Sequence, residues 1–169
     1  MRLKLLIFLF LGAVLFYLIY VLPAKEGVKE GNLAPGFSLS DELGEKVSLD
    51  QFKDKLVLLH FWATWCPPCV WEIPHFNKLL TQVSDPRFVL LGVSVDERGR
   101  SAIQEFRKKV PIHFTVLLDQ KGEVASQYGT YDLPQSFLID PQGKVVKIYR
   151  GPQDWSDSTI VSEILKYLP

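Results

Sequence analysis

The sequence predicts an α/β sandwich, in which a mixed central sheet is flanked by helices. Strand-like apolar runs alternate with amphipathic helical stretches along most of the chain, which is typical of this class. The run at residues 55–63 is almost entirely apolar, as expected of a central strand that is buried on both faces. Late in the chain, the segment PQGK separates two strand-like runs and predicts a hairpin.

The individual elements follow from hydrophobic periodicity and turn residues. Residues 37–52 predict a small N-terminal hairpin followed by one turn of helix. After the central strand, a helix begins near Cys66, because apolar residues then recur at helical spacing as far as Val83. The later predicted elements are a strand at 87–96, a helix at 100–110, a strand at 114–119, a short helix at 122–129, hairpin strands at 135–140 and 144–151, and a final helix at 157–168.

The N-terminal segment predicts a membrane anchor. An uncharged apolar run of 18 residues extends from Leu5 to Leu22, and as a helix it would be roughly 27 Å long, close to the thickness of a bilayer core. We expect an uncleaved signal anchor, because a cleaved signal peptide would have a shorter apolar core and a clearer cleavage site. The sequence thus predicts an anchor at 1–23, a polar linker at 24–31 and a single domain at 32–169.

The charge pattern predicts an orientation and excludes one class of partner. Arg2 and Lys4 precede the apolar run and would keep the amino terminus in the cytoplasm. We therefore expect a single-pass protein of the inner, cytoplasmic membrane whose C-terminal domain lies in the periplasm. The whole chain has 19 basic and 19 acidic residues and no basic run, so we expect no nucleic-acid partner.

The chain has only two cysteines, Cys66 and Cys69, both within FWATWCPPCVWEIP. A disulfide between them closes almost no loop and therefore adds little stability. Two thiols at this spacing can instead bond to each other, bind a metal or exchange a disulfide with a partner. Outside the cytoplasm such a pair either rests as a disulfide or is kept reduced by a dedicated electron supply.

These residues resemble the thioredoxin superfamily and, within it, the membrane-anchored TlpA-like branch of AhpC/TSA-type redoxins that includes the ResA and CcmG/DsbE reductases. The resemblance covers roughly residues 32–168, and its motifs are APGFSLSD, FWATWCPPCVWEIP, VLLGVSVD, YGTYDLPQSFLID and GPQDW. It implies a thioredoxin-like fold with an N-terminal hairpin and an inserted helix before the strand FTVLLD. It also implies a thiol-disulfide oxidoreductase with a redox-active disulfide, and we expect no cofactor and no metal.

Four residues of the CxxC motif receive roles from this resemblance. Cys66 would be the exposed nucleophile, since a thiolate at a helix N-terminus has a lowered pKa. Cys69 would resolve the mixed disulfide that Cys66 forms with a partner. Pro67 and Pro68 either fix the separation of the sulfurs and tune the reduction potential, or simply start the helix.

Four further residues are placed beside the thiols. Pro134 matches the cis-proline next to the CxxC of thioredoxins, and would present the backbone of Leu133 to an extended substrate segment. Glu72 could accept the proton of Cys69, or only stabilise the first helical turn. His60 is a departure, because the family has aspartate or asparagine there. We hypothesise that His60 lies beneath the disulfide and assists proton movement, since imidazole titrates near neutral pH; a hydrogen-bonded core histidine is the alternative.

All four tryptophans lie in or near the quoted motifs. Trp62 and Trp65 are expected to pack around the site. Trp71 lies on the helix face away from Ile73, and is expected to be exposed to partners. Trp155, in GPQDW, could belong to the core instead.

The leading functional hypothesis is a reductant of exported client proteins that contain cysteine pairs. Reductants of this branch serve cytochrome c maturation or copper-centre assembly, and receive electrons from a membrane donor resembling CcdA or DsbD. Here YDLPQS replaces the CcmG-type GAPET around the cis-proline, which weakens an assignment to cytochrome c alone.

Two alternatives belong to other functional classes. Peroxiredoxins share the opening motif, but they need proline and threonine at the positions that Leu59 and Ala63 occupy, so peroxide reduction is disfavoured. A copper carrier would need wider cysteine spacing in folds of this kind. Its candidate ligands would be Cys66, Cys69 and one of His60, His75 and His113.

Overall fold

The alternating strands and helices of the sequence form one mixed sheet with helices on both faces. The computed structural model describes residues 7, 10–17 and 27–169, and residues 10–17 are helical (α1). The elements after residue 27 are β1 (Ser38–Asp41), β2 (Lys46–Ser48), a 3-10 helix (Leu49–Phe52), β3 (Leu56–Trp62), α2 (Pro67–Gln82), β4 (Phe88–Ser94), α3 (Arg100–Arg107), β5 (Thr115–Leu118), α4 (Glu123–Tyr128), β6 (Gln135–Ile139), β7 (Val145–Arg150) and α5 (Ser158–Leu165). Every element predicted from residue 37 onward is present.

Most of the predicted anchor and part of the predicted linker lie outside the described residues. Among the residues that are described, no helix has both the length and the apolar character needed to cross a bilayer. The anchor at 1–23, and the division of the chain into anchor, linker and domain, therefore stay predictions.

The sheet has seven strands in the order β2-β1-β5-β4-β3-β6-β7. β3 pairs in parallel with β4, and β4 with β5. The pairings of β3 with β6, β6 with β7, β1 with β2 and β1 with β5 are antiparallel. The sheet is therefore mixed, as predicted, and β3 lies well inside it.

Side chains of β3 alternate between two apolar clusters, one on each face of the sheet. Leu58 and Trp62 point into the cluster that also contains buried residues of α2, α3 and α5. Leu59 and Phe61 point into the cluster on the other face, which contains buried residues of α4. All seven residues of β3 are buried, which explains why the run contains so few polar residues.

The topology brings the carboxyl ends of β3 and β4 and the start of β6 to the same end of the sheet. β3 and β4 are parallel, so their carboxyl ends meet there, and α2 begins just after β3. β6 runs antiparallel to β3 and pairs Ser136 with His60 and Gln135 with Phe61. Residue 134 therefore lies beside the end of β3, where the cysteines are.

Candidate active site

The cysteine pair forms a disulfide at the N-terminus of α2. The S–S distance is 2.01 Å and the two Cα atoms are 5.3 Å apart. Cys66 is the N-cap residue of α2, and its Sγ accepts a hydrogen bond from the backbone N–H of Cys69 at 3.3 Å. Pro67 and Pro68 occupy the first helical positions, where the missing N–H groups cost no helical hydrogen bond.

The prediction that Cys66 is exposed is wrong for this disulfide form. Its side chain is only 4% exposed, and that of Cys69 is fully buried. The Cys66 sulfur is bonded to Cys69 and receives the N–H at the start of α2, so little of it faces solvent. Cys66 nevertheless borders an open groove, and Cys69 is not among the residues that line it.

This groove has a volume of about 570 Å³, and Cys66, Pro67 and Pro68 are among the residues that line it. The residues that line it include Trp65 and Tyr131, which are 66% and 73% exposed. Leu133 lines the groove next to Pro134, and the Leu133–Pro134 peptide bond is cis, as the resemblance implies. The groove therefore brings Cys66, Leu133 and two exposed aromatic residues together.

Glu72 is buried one helical turn after Cys69 and is held by the loop between β7 and α5. Its Oε1 accepts hydrogen bonds from the Gln153 backbone N–H at 3.0 Å and from the Trp155 indole N–H at 2.5 Å. Burial raises the pKa of Glu72 to about 7, against the opposing effect of these two donors. Within the residues that the structure describes, its Oε2 has no hydrogen-bond partner. Glu72 is thus a carboxyl group that can gain or lose a proton near neutral pH.

His60 is fully buried in β3, beside Glu72. Its Nδ1 is 2.8 Å from Ser136 Oγ, and its ring centroid is 4.6 Å from that of Phe76. Its Nε2 has no hydrogen-bond partner in the described part of the chain and lies 3.9 Å from Glu72 Oε2. Burial lowers the pKa of His60 to about 3, so the imidazole is neutral at physiological pH. The premise that this imidazole itself titrates near neutral pH is therefore wrong.

Asp96 is a residue of the site region that the sequence analysis missed. It follows β4, is 3% exposed, and accepts hydrogen bonds from both the backbone N–H and the hydroxyl of Thr64, at 2.9 and 2.6 Å. Ser94 donates a further hydrogen bond to Asp96 at 2.8 Å. Since Thr64 lies two residues before Cys66, Asp96 fixes the turn between β3 and α2.

The tryptophans have four different environments. Trp62 is fully buried and packs edge-on against Phe114. Trp65 lines the groove. Trp71 is 51% exposed, which confirms the predicted exposure of this side chain. Trp155 is fully buried and, through its hydrogen bond to Glu72, belongs to both the core and the site region.

Two of the histidines considered as copper ligands already have side-chain partners. His60 Nδ1 contacts Ser136, and His75 Nδ1 lies 2.7 Å from Asp154 Oδ1. His113 is exposed. Across the residues that the structure describes, no group of three or more His, Cys, Asp or Glu side chains is arranged to hold a metal ion.

Comparison with known sequences gives a consistent family. The profile of the AhpC/TSA family matches residues 31–148. The thiol-disulfide oxidoreductase ResA of Bacillus cereus is 39% identical over 143 residues, covering 84% of this chain and 82% of the relative. ResA of Bacillus subtilis is 38% identical over 147 residues, covering 86% and 82%.

Solved structures show the same similarity at the level of the fold. A protein assigned as the thiol:disulfide interchange protein DsbE of Chlorobium tepidum superposes with a TM-score of 0.77 at 32% identity, covering 85% of this chain and 100% of that one. StoA of Bacillus subtilis superposes with a TM-score of 0.65 at 26% identity, covering 80% and 97%. The thioredoxin-like fold implied by the motifs is confirmed.

Proposed function

This chain belongs to the AhpC/TSA family of the thioredoxin superfamily and is a thiol-disulfide oxidoreductase, and from that premise we propose that it reduces disulfides in exported client proteins. The observation that carries the proposal is the Cys66–Cys69 disulfide at the N-terminus of α2. One sulfur of the pair borders a groove, and a buried carboxyl group lies one turn behind the other. Such a site can transfer two electrons and can handle the accompanying protons.

In the reduced protein, the Cys66 thiolate attacks one sulfur of a client disulfide. The client S–S bond breaks, a Cys66–client disulfide forms, and the released client sulfur leaves as a thiolate that takes up a proton. The thiolate of Cys66 is stabilised by the N-terminus of α2, because the backbone N–H of Cys69 already points at its Sγ.

Cys69 then resolves the mixed disulfide. Its thiol gives a proton to the Glu72 carboxylate, and the resulting thiolate attacks the sulfur of Cys66. The second client sulfur leaves as a thiolate and is protonated. The client has then gained two electrons and two protons, and the Cys66–Cys69 pair is again a disulfide.

The groove beside Cys66 is proposed to hold the client segment. Leu133 lines the groove, and an extended client segment would pair with its backbone by strand addition. The rings of Trp65 and Tyr131 would lie on either side of that segment. Pro67 and Pro68 would fix the backbone between the two sulfurs.

The predicted anchor would define the location and the electron source. We propose that residues 5–22 cross the inner membrane once, with the domain in the periplasm. A membrane donor resembling CcdA or DsbD would then reduce the pair after each cycle. Clients would be exported proteins with cysteine pairs, in cytochrome c maturation or copper-centre assembly.

The equilibrium reduction potential of the full chain in detergent tests the direction of the chemistry. A value near or below about −230 mV, measured against glutathione or dithiothreitol buffers, supports a reductant. A value near about −120 mV would mean an oxidant and would overturn the proposal. The Cys66→Ser variant is the control, because it cannot form the pair and should show no two-electron transition.

A further inference from the structure

Two buried polar atoms that have no hydrogen-bond partner among the described residues face each other behind the disulfide. They are His60 Nε2 and Glu72 Oε2, which lie 3.9 Å apart and belong to side chains that are 1% and 0% exposed. Buried polar atoms are almost always hydrogen-bonded, because leaving them unpaired costs their full desolvation. Two such atoms at this separation therefore call for a common explanation.

The other polar atoms of both side chains are already engaged. Glu72 Oε1 accepts from Gln153 and Trp155, and His60 Nδ1 contacts Ser136 Oγ. Each side chain therefore has one polar atom that is free to form a hydrogen bond, and these two atoms face each other. A movement of about 1 Å would bring them within the usual hydrogen-bond distance of about 2.7–3.2 Å.

We propose that in the oxidised protein Glu72 carries a proton on Oε2 and donates it to Nε2 of a neutral His60, whose Nδ1–H is donated to Ser136. His60 is then a positioning residue: it holds the acidic form of the carboxyl group that acts on Cys69. The proposal rests on the proposed function, in which Glu72 takes up the proton of the Cys69 thiol.

The role of His60 follows from where the proton goes in each step of the cycle. In the resolving step a proton leaves Cys69 Sγ and arrives on Glu72 Oε2, and His60 Nε2 accepts the resulting O–H. No electron moves in that transfer. When a donor reduces the disulfide again, Glu72 returns the proton to the Cys69 thiolate and becomes a carboxylate. Solvent need not enter the buried region in either direction.

A neutral pair suits the surroundings better than an imidazolium beside a carboxylate. Burial lowers the pKa of His60 and raises the pKa of Glu72, and both directions favour the uncharged forms. An ion pair would place two charges in an apolar cluster where only Oε1 receives donors, and burying charges is costly unless all their hydrogen bonds are made.

Several elements pack around the His60–Glu72 pair. Among the described residues, the groups on these elements that face the pair are largely non-ionisable. They are Ser136 on β6, Phe76 on α2, and Gln153 and Trp155 in the loop before α5.

The nearest ionisable groups have other partners. Cys66 and Cys69 are joined in the disulfide, and on α2 His75 pairs with Asp154. The Tyr149 ring on β7 packs against Trp155, and its hydroxyl donates to Glu163, which also pairs with Lys147. None of these contacts reaches Oε2 or Nε2.

The first test is nitrogen NMR on the oxidised full chain in micelles with isotope-labelled histidine. At pH about 6 we expect the His60 signals of a neutral ring with the proton on Nδ1 and a hydrogen-bonded, unprotonated Nε2. The His60→Asn variant identifies these signals among those of the three histidines. A ring protonated on Nε2, or an imidazolium, would overturn the proposal.

The second test follows the protonation of Glu72 by infrared spectroscopy of its carboxylic acid band, which Glu72→Gln identifies by removing it. In His60→Asn we expect the midpoint of Glu72 to fall by about one pH unit, a tenfold loss of proton affinity, because the acidic form loses its acceptor. Asparagine at exposed His113 is the matched control and should leave the midpoint unchanged. An unchanged or higher midpoint in His60→Asn would refute the coupling.

A second variant covers the case in which His60→Asn does not fold. Ser136→Ala removes only the partner of Nδ1, and we expect it to lower the Glu72 midpoint in the same direction by a smaller amount. An unchanged midpoint in this variant would contradict the role given to Nδ1–H. Both tests use the oxidised protein without a client, so they can fail while the reduction potential still supports the proposed reductant, and the reverse also holds.

Discussion

Replacing Glu72 by glutamine is expected to stabilise the oxidised protein, increasingly as the pH rises from about 4.5 to 7. Burial raises the pKa of Glu72 from 4.5 to about 7, so the folded protein binds this proton more tightly than the unfolded chain does. The stability that the proton gives is fully present below pH 4.5 and is lost as the pH rises through 7. Glutamine stays neutral at every pH and avoids this loss.

The magnitude follows from the two pKa values. Each pH unit between them corresponds to about 1.4 kcal/mol of unfolding free energy. As the pH rises from about 4.5 to 7, the unfolding free energy of the natural protein should therefore fall by up to about 3 kcal/mol relative to that of Glu72→Gln. This is a large fraction of the total stability of a domain of this size.

His60 also affects the pH dependence of the unfolding free energy, with the opposite sign. Burial lowers its pKa from 6.5 to about 3, so its contribution is present above pH 6.5 and is lost as the pH falls toward 3. Between pH 4.5 and 6.5 the two groups oppose each other. In this pH range the two effects on the unfolding free energy of the natural protein should largely cancel. In Glu72→Gln only the effect of His60 is left, so its unfolding free energy should rise with pH.

Urea unfolding followed by tryptophan fluorescence, at a series of pH values from about 4 to 8, measures the difference between the two proteins. The matched control is glutamine at Glu105, whose side chain is 57% exposed and pairs with Arg98. This control should differ from the natural protein by less than about 1 kcal/mol at every pH. A difference for Glu72→Gln that stays constant across the range would refute the raised pKa and the reasoning from burial.

Two further substitutions test the thiol roles and the packing beside the site. Cys69→Ser should accumulate a mixed disulfide between Cys66 and a client, because the resolving thiol is absent; on a non-reducing gel, failure to trap any client through Cys66 would contradict the assigned roles. Gly92→Ala should cost about 1–3 kcal/mol in urea unfolding, since a Cβ at this position would collide with the ring of Phe114. Alanine at Gly36, where a Cβ would meet nothing within 4 Å, is the control, and equal losses in both variants would rule out the collision as the cause.

The elements of the fold could be predicted because each leaves a local pattern. The apolar run of β3 indicates burial on both faces, and the apolar spacing of α2 indicates one buried helix face. The place of Pro134 followed from a motif, and the register of β6 against β3 explains why it lies next to the cysteines. Asp96 could also have been found, since a polar residue two positions after β4 lies at the same end of the sheet as the carboxyl end of the parallel strand β3.

The partners of Glu72 and His60 could not be predicted, because they are distant in sequence. Trp155 and Gln153 are more than 80 residues from Glu72 and reach it only because the last loop folds against α2. Ser136 reaches His60 through the pairing of β6 with β3. A periodicity argument identifies the helix face that carries Glu72, but not the donors that meet it there.

The partners and the burial of His60 come from distant segments, so the sequence alone favours His60 as a titrating group. Its ordinary pKa of 6.5 favours that interpretation, but full burial shifts the pKa to about 3. The group that does titrate near neutral pH is Glu72, whose pKa burial raises toward 7. Burial thus reverses which of the two side chains titrates near neutral pH. We therefore propose the carboxyl group for a pH-dependent step at the disulfide, with the imidazole as its acceptor.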